Sequence, residues 1–207
     1  MTLTCTDDGL ARATTALMIG APLLMVMGRV LLVPFDDQDW PKVLNAMSAH
    51  QGRSDAGWLL SLAASGLLGV TAVVLAQRLR AAGRSLSAGV VIVTAALGWA
   101  GSAAISGFGL SMSAMAQAPD RPVQVQVLKD LTSGSTNIVF LMCVAAAVGY
   151  AVLAVGLSRA GLASKGAAIL LGVGGASTLL TMPGPMQPLL VFAALLLAAG
   201  HALVTRP

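Results

Sequence analysis

The sequence predicts an all-α fold: a polytopic transmembrane bundle of about six spans, one domain over residues 1–207, with short helices in its outer loops. Three observations carry this reading. Residues 56–77, 85–119, 131–158 and 166–205 contain no Asp, Glu, Lys or Arg, and about 20 apolar residues are enough to cross a bilayer as a helix. Hydrophobic residues make up 57% of the chain and charged residues 10%, against about 25% charged in soluble domains. Helices of a soluble domain keep a charged outer face, and stretches of this length leave none.

The first span is placed at 12–33. Asp7 and Asp8 spoil the positive start of a secretory signal and no small-residue cleavage site follows, so it is read as uncleaved. An outer loop, 34–55, comes next. In it Asp39 is positioned to cap a short helix through Trp40 to Met47, with Val43, Leu44 and Met47 on one face. Spans at 56–78 and 87–115 flank a short basic turn. The second of them places Gly98, Ser102 and Ser106 four residues apart, which lets backbones approach closely in lipid. A second outer loop, 116–135, offers a short helix over 123–131 with Val127, Leu128 and Leu131 on its apolar face. The run Val123-Gln124-Val125-Gln126-Val127 alternates as a strand does. The fourth span runs 136–158. The last charge-free run is too long for one crossing at 1.5 Å per residue. Pro183-Gly184-Pro185 and Pro188 divide it into spans at 166–182 and 187–204.

Basic residues orient the bundle. Arg12, Arg78, Arg80, Arg84, Arg159, Lys165 and Arg206 fall on one side if both termini are cytoplasmic, as the excess of Lys and Arg in short inner loops requires. The expected location is therefore the inner (cytoplasmic) membrane of a bacterial cell, multi-pass. The net charge of +4 reflects this orientation. No basic patch with interleaved aromatics points to nucleic acid. Cys5 and Cys143 lie in the cytoplasm and inside a span on this topology, where no disulfide is expected.

Chemistry concentrates in the first outer loop. Asp36, Asp37 and Asp39 lie in one string with His50 downstream, and clustered carboxylates can bind a cation or serve as a general acid. The bland alternative is a solvated loop with one Asp capping a helix. The spacing D-D-x-D is one residue shorter than the D-D-x-x-D with which prenyl-diphosphate enzymes hold magnesium. No second acidic motif occurs and glutamate is absent, so neither a metal nor a cofactor is expected. Arg29 sits about one turn inside the outer end of the first span. It either pairs with Asp36 or Asp37, snorkels to the interface, or anchors an anionic head group. Arg29, Arg53, Trp40 and Trp99 are the candidate ligand-binding residues, and Asp36, Asp37, Asp39 and His50 the candidate catalytic ones. Trp40 and Trp58 suit the outer interfacial belt. Trp99 is expected inside its span, and His201 at an interfacial helix end.

The expected function is an accessory subunit, or a binder of a lipid or other apolar ligand beneath an outer cap. The partners are membrane lipid, an apolar small molecule or another membrane protein. The alternative is an acid–base cyclase or isomerase working through the aspartate loop on a hydrophobic substrate. A transporter ranks third, because the mid-membrane carries no charge and the one helix break reads as a surface turn.

Overall fold

A computed structural model describes residues 7–33, 39–134, 136–180 and 187–204. Those residues form eight helices and no strand: α1 (Asp7–Leu31), α2 (Trp40–Ala49), α3 (Gln51–Ala81), α4 (Ser85–Met115), α5 (Arg121–Gly134), α6 (Thr136–Arg159), α7 (Lys165–Leu180) and α8 (Gln187–Val204). Three of them, α3, α4 and α6 from Asn137, are long and apolar enough to cross a membrane; α1 and α8 contribute shorter apolar segments, Thr15–Leu31 and Val191–Val204. The Pro183-Gly184-Pro185 turn lies outside the described residues. Helix α3 begins five residues before the charge-free run does, at Gln51 rather than 56. Its first turns carry Arg53 and Asp55, because a helix does not end where its apolar stretch ends.

The six longer elements close into a ring in the order α1, α3, α4, α6, α7, α8, with α8 packed back on α1. Residue pairings fix their directions. Gly109 faces Trp58 and Gly66 faces Trp99, so α3 and α4 run antiparallel. Gly98 meets Ala146 and Gly101 meets Met142, Gly175 meets Tyr150 and Gly172 meets Ala154, and Gly174 and Gly200 meet Leu197 and Leu171. Each neighbouring pair therefore alternates in direction around the ring. As in lipid-soluble bundles, small residues let the backbones approach. Large ones such as Val93, Ile138, Leu141, Ile169 and Phe192 point outward.

The interior is filled by Met18, Met25, Leu68, Leu75, Leu79, Tyr150, Leu153, Leu157, Leu171 and Leu197, among others. At one end the turns after α3 and α6 share one geometry. Gly83 and Gly161 adopt φ of +78° and +71°, the left-handed conformation that glycine takes at no steric cost. The next residue closes the loop, Arg84 N–H donating to Leu79 O and Leu162 N–H to Leu157 O, both at 2.9 Å. This is the Schellman arrangement. Ser164 Oγ then accepts from Ala167 N–H at 3.2 Å to start α7.

At the other end α2 and α5 form a lid. Trp40, Val43, Leu44 and Met47 of α2 pack with Val33, Met112, Ala116 and Leu128. The Val-Gln run is helical, as the short helix expected over 123–131 requires, despite its strand-like alternation. Gln124 turns inward, donating to Ala118 O at 2.7 Å and accepting from Arg121 at 3.0 Å, so a polar residue occupies the buried face. Leu128 shares that face, while Val127 and Leu131 are exposed.

Candidate functional site

The lid places the residues of the first outer loop. Asp39 Oδ1 accepts from Lys42 N–H at 3.1 Å and caps α2. The carboxylate satisfies one of the four donors a helix start leaves open. Asp36 and Asp37 lie outside the described residues. His50 marks the junction of α2 and α3, where its backbone N–H donates to Ala46 O and Met47 O at 3.2 Å; its side chain is exposed. Arg53 reaches from α3 to the last carbonyls of α1, with Nε donating to Leu31 O at 3.1 Å and Nη2 to Val30 O at 3.0 Å. A cation on a helix C-terminus is favoured by the unsatisfied carbonyls and the helix dipole. Trp40 is buried in the lid and Trp58 against α4. Among the described residues no group of three or more His, Cys, Asp or Glu is placed to hold a metal ion.

Arg29 lies in the last turn of α1 with its Nε and Nη1 atoms buried, so its head turns into the protein rather than snorkelling outward. Cys143 is a buried free thiol of α6.

A groove opens on the flank of the ring between α3, α4 and α6. It is narrow, with room for about 30 Å³ within it. Ser65, Gly69, Ala72, Ala95, Gly98, Ser102, Ala146 and Gly149 line it with little side-chain bulk, and Tyr150 and Leu153 lie among its lining residues. Trp99 forms its lip. Expected inside its span, Trp99 is 51% exposed. It lies over α3, where a Cβ added at Gly66 would come within 3.3 Å of its Nε1. The indole is too large for the small-residue side of α4 and packs across the crease beside it. Two of the groove's hydroxyls, those of Thr94 and Ser65, are turned onto their own helices. Thr94 Oγ1 donates to Val90 O at 2.8 Å and Ser65 Oγ to Ser61 O at 2.7 Å, as hydroxyls in apolar helices do.

His201 lies in the last turn of α8, the helix end expected of it, and is fully buried there, in edge-to-face contact with Tyr150, ring centroids 6.3 Å apart and planes at 70°. Tyr150 is buried too and also lines the groove. Neither residue stood out in the sequence. Spacing could have placed them: Tyr150 follows Cys143 and Ala146 on the small-residue stripe of α6, and His201 follows Ala194 and Leu197 on that of α8. In lipid that stripe is the inward face.

Comparison with known proteins finds no matching family model, no matching curated protein and no matching solved structure.

Proposed function

We propose that this chain is a six-span protein of the bacterial inner membrane, both termini cytoplasmic, that holds an apolar small molecule or lipid chain in the groove between α3, α4 and α6. The lid of α2 and α5 closes its outer end. The observation that supports the binding role is the flank groove itself. Small residues hollow it out and a half-exposed Trp99 edges it, a concave and mostly apolar site of the kind ligands use. Its mouth faces sideways, where acyl chains would lie. The six-span topology rests on the ring and its alternating directions. The shorter apolar helices α1, α7 and α8 are integral to that ring, and a ring member outside the bilayer would strand Ile169 and Phe192 in water. The orientation rests on Arg78, Arg80, Arg84, Arg159 and Lys165, which gather at the end bearing the two Schellman turns. No observation favours the aspartate-loop enzyme, since Asp39 is engaged as a helix cap.

The test is native mass spectrometry of the full chain released from lipid nanodiscs, beside a Gly69→Leu variant. Gly69 lines the groove and a Cβ there meets only Trp99 Cβ, at 3.9 Å, so the position accepts a side chain whose bulk competes with a ligand. Retention of a defined apolar molecule by the wild type and its loss from the variant are the expected results. A stoichiometric second polypeptide with no small molecule would instead make the bundle a subunit.

A further inference from the structure

Among the buried side-chain polar atoms that make no hydrogen bond among the described residues, which include Trp58 Nε1 and the hydroxyls of Ser54, Ser61 and Ser113, three lie together: Tyr150 Oη and both ring nitrogens of His201. Tyr150 is 6% exposed and His201 0%. More than 90% of buried polar groups are paired, and an orphan calls for an explanation such as a catalytic role or a bound molecule. Orphans scattered through a structure carry little meaning. These sit on two rings that touch each other, and one of the two also lines the flank groove.

The donor and acceptor inventory narrows what fits. A phenol donates one hydrogen bond and accepts others; a neutral imidazole donates at one nitrogen and accepts at the other. Together they match a group that offers an oxygen to be donated to, a proton to be accepted, or both. A charged head group would need a compensating ion in an apolar interior. No charged side chain lines the groove. The pair itself is therefore suited to a neutral head.

We infer that Tyr150 and His201 form the head-group end of the groove and hydrogen-bond the carbonyl or hydroxyl oxygen of a neutral lipid-soluble ring compound of the quinone–quinol class. The apolar tail runs past Gly98 and Trp99 toward the lipid. This rests on the groove-binding reading above and adds the chemistry of the head.

The test titrates two probes into the full-length protein in nanodiscs: decylbenzoquinone, and decylbenzene, which has the same tail and ring without the oxygens. Occupancy is read by native mass spectrometry. The quinone is expected to bind at least tenfold more tightly, the difference one hydrogen bond supplies. Tyr150→Phe should remove about tenfold of the quinone's affinity and leave decylbenzene unchanged. The same variant should melt no lower than wild type, because it deletes a hydroxyl the fold does not use; a lower Tm together with unchanged quinone binding would overturn the inference. Equal affinity for the two probes, or quinone binding indifferent to Tyr150→Phe, would overturn the head-group assignment while groove binding stood. Binding of neither probe, or binding of both that survives Gly69→Leu, would overturn the groove reading and this inference with it.

Discussion

At the scale of single residues, the lid end of the molecule is held by side chains that complete helix ends. Arg53 supplies two donors to the carbonyls closing α1, joining the first helix to the third at the lid. Replacing it with Met keeps the aliphatic stem and removes both bonds. The expected cost is about 1–2 kcal/mol, at the low end for charge-assisted bonds because the site is open to solvent, read as a lower Tm in detergent. Asp39→Ala should cost about 1 kcal/mol as a lost cap, and Asp39→Asn almost nothing, since both side chains accept from the same backbone N–H. If Asp39→Asn removed ligand binding with the fold intact, Asp39 would have work beyond capping. Both residues attracted notice in the sequence for their charge, yet charge alone does not distinguish a ligand from a cap. Only the position of the helix end does.

At the scale of elements, the turns and the crossings make different demands. Gly83 ends α3 in a left-handed conformation that costs a side-chain-bearing residue about 1–2 kcal/mol. Gly83→Ala should lower stability by about 1 kcal/mol without altering ligand retention, as thermal melts and the nanodisc assay would read together. Gly98→Leu acts elsewhere. A Cβ there meets Ala146, so α4 and α6 must separate, and both stability and groove occupancy are expected to fall. The helices themselves were legible: charge-free runs located them, and Asp39 announced α2. Helix α5 was legible too, from the spacing of Val127, Leu128 and Leu131, but its buried face was not, because each glutamine of the Val-Gln alternation is assumed to face water. Gln124 instead satisfies its amide internally against Ala118 and Arg121. The exposure of Trp99 and the burial of His201 at the end of α8 were not legible either. In water, bulk and hydrophobicity point inward, whereas here small residues line the helix crossings, leaving an indole at the surface.

At the scale of the whole molecule, one end carries Arg78, Arg80, Arg84, Arg159 and Lys165, while the opposite end mixes Lys42, Arg53, Arg121 and Lys129 with Asp39, Asp55, Asp120 and Asp130. Changing Arg78, Arg80 and Arg84 to Gln should weaken the orientation signal. Reporter fusions in the 82–84 turn and at Ala118 would then lose their clean division between the two faces. The six apolar segments could be counted from the sequence, but their neighbours could not, because charge-free helices carry no label for which partner each will meet. That order came from close approaches between distant residues, Gly98 with Ala146 and Gly174 with Leu197. A closed ring of alternating helices has an even number of members and no privileged starting point. Since α8 packs on α1, the start of α1 and the end of α8 lie on the same face as the turns at 82–84 and 160–164. A short linker joining those helix ends, with new ends opened at Gly161, would yield a circular permutant that keeps every interhelical contact. Such a permutant should retain the same ligand as the original chain, its order of synthesis changed and its circumference unbroken.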